Sequence, residues 1–168
     1  ASLYGADAIG GVVNIITRQG DDAYVRAGGG RYNTREAAAG YGFDNGTSRL
    51  RLDVNYDDTD GFDATTDQTN GNDDADGYDN RSVNFRAGHD FGPLELGLDY
   101  YRTEAENEYD GGGDSYQDSI RDAGHLNLAF SPAATWQSEL SVGLNRDDED
   151  TYSDGDFSST YATRRTTA

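Results

Sequence analysis

The chain of 168 residues contains no cysteine, no methionine and no lysine, only two prolines and a single tryptophan. Without cysteine there is no disulfide framework, no thiol nucleophile and no zinc-thiolate site. No apolar run approaches the roughly 20 residues that a transmembrane helix needs, and the mean hydropathy is −0.87. Positive charge is scarce: 13 basic residues, all arginine, stand against 32 acidic ones, for a net charge of −19. A basic surface able to neutralise a polynucleotide backbone is therefore missing, and nucleic acid is excluded as a partner. Few hydrophobic residues with a high net charge is also the composition of disordered chains.

What is present argues against disorder. The acidic residues gather in three stretches, Asp57 to Asp79, Glu104 to Asp118 and Asp147 to Asp156, and the segments between them alternate in polarity. In Arg49-Leu50-Arg51-Leu52-Asp53-Val54-Asn55-Tyr56 every even position is apolar or aromatic and every odd one polar, the period of a strand with two unlike faces. Leu94, Leu96, Leu98 and Tyr100 repeat the pattern, as do Val83, Phe85 and Ala87, then Leu126, Leu128 and Phe130, then Trp136, Leu140, Val142 and Leu144. The polar faces carry ionised groups that a hydrocarbon or a dry interior would not accept, so they face water or a polar lumen.

Connections of two kinds join these segments. Asp44-Asn45-Gly46-Thr47, Phe91-Gly92-Pro93 and Ser131-Pro132-Ala133-Ala134 read as short turns. Asp57 to Asn80, Thr103 to Ser119 and Asp147 to Ser158 read as long acidic loops. Short connections at one end and long ones at the other are the pattern of outer-membrane barrels, whose strands cross in about 9 to 11 residues with only alternate positions apolar. Aromatics at Tyr41, Phe43, Tyr56, Phe91, Tyr100, Tyr101, Phe130 and Trp136 fall near strand ends, where interfacial girdles are expected. A soluble antiparallel sandwich shares the alternation. The expected strands are 22–30, 35–44, 48–57, 80–91, 94–103, 120–130, 135–146 and the start of an eighth near 159–168: an all-β antiparallel meander.

The first residues separate barrel from sandwich. Leu3-Tyr4-Gly5-Ala6-Asp7-Ala8-Ile9-Gly10-Gly11-Val12-Val13-Asn14-Ile15-Ile16-Thr17 ends in a β-branched block suited to a strand buried on both sides. Nothing downstream could partner it. The string resembles the closing segment of the plug domain of TonB-dependent outer-membrane receptors, which leads directly into the first strand of a transmembrane barrel. The resemblance implies that residues 1–20 are the C-terminal end of the plug and that residues 21–168 are the N-terminal part of the barrel. Because such barrels close with about 22 strands, the chain is expected to hold about the first third of one. No signal peptide is visible, which fits a chain that starts inside a domain. An open partial barrel would leave two unpaired edges and an apolar face exposed.

Within the family the chain is similar to the cobalamin (vitamin B12) receptors. Gly61-Phe62-Asp63 opens a long loop, Asn72-Asp73-Asp74-Ala75-Asp76-Gly77-Tyr78 closes it, and Asn107-Glu108-Tyr109-Asp110 lies in the next outer loop. In those receptors, loops at these places hold calcium ions that order the outer face. The resemblance implies calcium ligands at Asp63, Asn72, Asp74, Asp76, Tyr109, Asp110 and Asp118, with Asp114 competing for the last place. Asn72 stands where the family has Gln, and the first loop is shorter than in the family. Calcium takes six to eight oxygen ligands, which two Asp-rich loops can supply, although no EF-hand spacing is present. The alternative for these loops is a solvated acidic face suited to high salt.

No enzyme is expected. Serines lack a His and Asp arrangement, no Gly-rich loop precedes a Lys and a helix, and His89 and His125 read as wall residues. The implied function is uptake of cobalamin across the bacterial outer membrane, energised through TonB, with outer-membrane lipid and lipopolysaccharide around the barrel. A siderophore receptor would share the opening string without needing the acidic loops. A calcium-stabilised surface adhesin is the alternative from another class.

Overall fold

The computed structural model describes residues 21–63, 75–110 and 113–168. The string resembling a plug segment therefore lies outside the described residues, as do Asn72 and Asp74 of the expected calcium set.

Eight strands run in chain order through one sheet: β1 (Ala23–Gly29), β2 (Arg35–Asp44), β3 (Ser48–Phe62), β4 (Asp76–Asp90), β5 (Leu94–Glu108), β6 (Tyr116–Ala133), β7 (Trp136–Ser153) and β8 (Asp156–Thr167). Each pairs antiparallel with the next, so the topology is the expected meander. No helix occurs among the described residues. The short turns fall where the sequence puts them. In the β2–β3 turn, Gly46 N–H donates to Asp44 Oδ1 at 2.8 Å, and Thr47 and Ser48 N–H donate to Asn45 Oδ1 at 3.0 and 2.7 Å. Asp90 does the same for Gly92 at the β4–β5 turn.

The long acidic loops are a correction. Much of what reads as loop is strand: β3 continues to Phe62, β4 begins at Asp76, β5 runs to Glu108, β6 begins at Tyr116 and β7 runs to Ser153. These outer halves lose the one-sided apolar alternation because water bathes both of their faces, and the backbone ladder continues without it. Cross-strand and same-strand ion pairs, such as Arg146 with Asp148 and Arg121 with Asp147 at 3.0 Å, dress the extension instead.

Register sorts the side chains into two faces. The outward face carries Phe43, Leu50, Ala87, Leu98, Leu126 and Val142 in one row, with Tyr41, Leu52, Phe85, Tyr100, Gly124 and Leu144 in the next. Most of the large side chains in these rows are exposed in the isolated sheet, Leu52 at 43% and Leu98 at 41%, with Phe85 and Val142 half-buried, and there is almost no core: Ala38 is the single buried hydrophobic residue among those described. A sandwich would bury this face; a membrane barrel turns it to lipid. Tyr101, expected in the girdle, belongs to the other face, where it is in register with Asn84 and Ala123.

The upper edge of the apolar band steps as it crosses the sheet. On β3 its last member is Tyr56, whereas on β7 it is Leu144, which lies in register with Leu52, four residues short of Tyr56. The step is taken between β3 and β5, where the band ends at Tyr56, Val83 and Tyr100 in turn; from β5 to β7 the edge keeps to one register row, Tyr100, Gly124 and Leu144.

Candidate functional site

The inward face is a polar wall built by the odd positions of β3. Arg51 is its most buried charge, 8% exposed. Its Nε and Nη2 donate to the two carboxylate oxygens of Asp53 at 2.8 Å each, and its Nη1 donates to Asp22 at 2.8 Å. Tyr24 donates to the same Asp53 at 3.1 Å across Gly40, where a Cβ would come within 2.3 Å of the tyrosine ring and 2.4 Å of the carboxylate. Next in register stand Arg86, ion-paired with Asp99, and His125, which lies 4.0 Å from Asp99 and 2.5 Å from Ser141 Oγ. An open cavity of about 350 Å³ is lined by Arg49, Arg51, Arg86, Asp99, His125 and Asn127, among others. Charges of both signs, mostly satisfied by one another, make a wall suited to water or to a polar filling. His89 sits on the outward face and hydrogen-bonds Ser48 at 2.8 Å.

The expected calcium ligands fall at the outer ends of the strands. Asp63 follows the end of β3 and Asp76 begins β4. A bulge between Thr59 and Phe62 sets Phe62 opposite Asp76. Gly61 makes that bulge possible: its φ is +66°, and a Cβ there would lie 1.6 Å from the Asp76 carbonyl oxygen. The glycine of Gly61-Phe62-Asp63 thus has a structural duty, bringing the chain at Asp63 against the start of β4. Tyr109 and Asp110 follow the end of β5, and the Tyr109 N–H closes the hairpin on the Ser115 carbonyl at 3.1 Å. The Tyr109 hydroxyl donates to the Tyr152 carbonyl at 3.4 Å. Tyr152 in turn stacks on Tyr116, with ring centroids 4.5 Å apart.

Asp118 is placed differently. It lies within β6, paired with Glu106, and not at a hairpin tip. Asp114 is nearer the tip, where its carbonyl accepts from Gly155 N–H at 2.8 Å. Among the described residues no group of three or more His, Asp or Glu side chains surrounds a common point.

One arrangement escapes a reading of the sequence. Asp58, Asp79, Glu106, Asp118 and Asp150 follow one another in register across β3 to β7, one carboxylate per strand on the outward face. Like charges directly opposite repel. Crowded away from water by its neighbours and faced by Asp118 and Glu108, the Glu106 carboxyl is pushed above its ordinary value. Glu108 escapes part of this crowding by accepting from Gly77 N–H at 2.7 Å. Strand parity with the short β4–β5 and β6–β7 turns would have revealed Asp79 opposite Glu106 and Asp118 opposite Asp150, whereas the pairings across β3–β4 and β5–β6, which join at their outer ends, come only from the structure.

No protein-family model matches the chain. It is 32% identical over 180 aligned positions to the vitamin B12 transporter BtuB of Photobacterium profundum, an alignment that takes in the whole of this chain and 28% of the relative. The chain thus spans little more than a quarter of the length of the relative it matches. The apolar outward face, the polar inward wall and this similarity place it in the bacterial outer membrane, and over its whole length the chain resembles part of a TonB-dependent receptor of the vitamin B12 type.

Proposed function

We propose that this chain forms part of the barrel wall of a receptor that imports cobalamin across the outer membrane, energised through TonB, and that it acts as a transporter and not as an enzyme. The observation that carries the reading is the similarity along the entire chain to a vitamin B12 transporter. The polar inward wall supports it, since a transport barrel must present a wettable lumen to its contents.

The outer acidic ends bind calcium in this reading. The donor set is oxygen throughout, from carboxylates, the Asn72 amide and Tyr109, and it suits a hard cation. Tyr109 donates its hydroxyl proton to the Tyr152 carbonyl, and the oxygens it can offer a cation are its main-chain carbonyl and the lone pairs of that hydroxyl. Two divalent ions would also relieve the repulsion among carboxylates at these strand ends. The test is cobalamin binding by the intact receptor during a calcium titration. Binding should strengthen with calcium, and Asp74→Ala with Asp110→Ala should abolish that dependence. Retention of the full calcium response in the double variant would sink the assignment, and binding of a ferric siderophore in place of cobalamin would sink the substrate.

A further inference from the structure

The β2–β3 ladder stops before β3 does. Pairing between the two ends at Arg35 with Asp58, while β3 continues to Phe62. The β1–β2 turn, residues 30–34, lies against this outer end, and it does so through an uncommon backbone. Tyr32 and Asn33, consecutive and neither of them glycine, stand at φ +57° and +54°. Asparagine visits that left-handed region readily, whereas a bulky tyrosine does so where its surroundings hold it there.

What holds it is β3. The Tyr32 carbonyl accepts from the Asp60 N–H at 3.0 Å and from the Thr59 hydroxyl at 3.1 Å. Asn33 Nδ2 donates to Asp60 Oδ1 at 3.4 Å, and the Tyr32 ring packs on Phe62 with centroids 5.3 Å apart. Thr59 ties the turn to the bulge, because the same hydroxyl oxygen accepts from the Gly61 N–H at 3.2 Å. Tyr32 and Phe62 stay 53% and 56% exposed, so burial alone gives little return for the strained turn. All of these contacts land on residues 59–62, the bulged stretch that brings the chain at Asp63 against the start of β4.

We propose that Tyr32 and Asn33 are positioning residues for calcium: the β1–β2 turn clasps the bulge of β3 and holds the chain at Asp63 beside Asp76 before a cation arrives, without itself supplying a ligand. The inference rests on the calcium reading above and goes beyond its ligand set. Carboxylates already held in place cost less to gather round a hard cation than carboxylates that must be ordered on binding. A receptor whose clasp is open part of the time binds calcium more weakly, in proportion to the fraction closed.

Isothermal titration of calcium into the intact receptor tests this, with hydrogen exchange of residues 59–62 in calcium-free buffer as a second readout. Asn33→Gly keeps the left-handed backbone and loses one long hydrogen bond, so its calcium affinity should stay within about threefold of the wild type. Asn33→Val, whose β-branched side chain disfavours a positive φ, should weaken calcium binding about tenfold and speed exchange at Asp60. Thr59→Val leaves the turn residues as they are and removes the hydroxyl that joins turn to bulge. It suits a strand, so it keeps the test open should Asn33→Val fail to assemble, and it should weaken binding about fivefold. Wild-type calcium affinity in the valine variants overturns the proposal, and so does weakened binding with unchanged exchange at Asp60. A wild-type receptor that takes up no calcium overturns the calcium reading itself, and this proposal with it, whatever the exchange shows.

Discussion

The two halves of each long hairpin use one backbone ladder in two solvents. Near the short turns, β3 to β7 present apolar side chains on one face and ionised ones on the other, and the pairing residues match: Leu50 with Ala87, Leu98 with Leu126, Leu126 with Val142. Towards the outer ends the same strands stay paired residue for residue while carboxylates occupy both faces. The backbone hydrogen bonds therefore do not need the apolar face; the membrane does. Sequence alternation reports the environment of a strand rather than its length.

Four changes would break or sharpen this contrast. The largest effect is expected from Leu98→Arg, which puts a charge in the middle of the apolar band and should lower the unfolding free energy of the intact receptor in lipid by roughly 2–4 kcal/mol. Asp150→Arg, on the same face of the outer half, should change it by less than about 0.5 kcal/mol. Denaturant titration in liposomes measures both, and equal losses would mean that the band is no solvent boundary. Arg51→Met tests the inward wall at band level. It leaves Asp53 and Asp22 without their principal donor, and a loss of about 2 kcal/mol is expected in the same titration; a neutral result would show that lumen water replaces the guanidinium fully. The smallest effect concerns Glu106. Its carboxyl titrates above the usual range in the folded protein, so the folded state holds its proton longer than the unfolded chain. Stability from this group is then greatest below the ordinary carboxylate value and falls as pH rises through the raised one. Glu106→Gln should remove that fall and, in calcium-free buffer at neutral pH, stabilise by a few tenths of a kcal/mol, since exposed neighbours are well screened. Unfolding midpoints at pH 4 and pH 7 would reveal it, and an unchanged pH dependence would count against the carboxylate row as a repulsive element.

The meander, the short turns and the facing of nearly every apolar residue were legible because a strand's period of two survives in the letters wherever one side meets lipid. Legibility ended where that asymmetry ended. Nothing in Asp57-Asp58-Thr59-Asp60 distinguishes a solvated strand from a solvated loop, and only pairing with residues such as Asp79 and Tyr78 shows which it is. Tyr101 was misplaced for a related reason: Tyr100 and Tyr101 are adjacent aromatics, and only register shows that the first faces out and the second in. Of the expected calcium residues, Asp63, Asp76, Tyr109 and Asp110 lie at strand ends, whereas Asp118 lies inside a strand against Glu106. That carboxylate row could not be seen one segment at a time, because it is a property of five strands in register.

The meander has a consequence for how much membrane boundary this wall occupies. A strand inclined at the roughly 35–45° of outer-membrane barrels takes up about 6–7 Å of perimeter instead of its perpendicular spacing of about 4.8 Å. Eight such strands cover an arc of roughly 50 Å, and in a wall so inclined residues that face each other across the ladder stand at different depths.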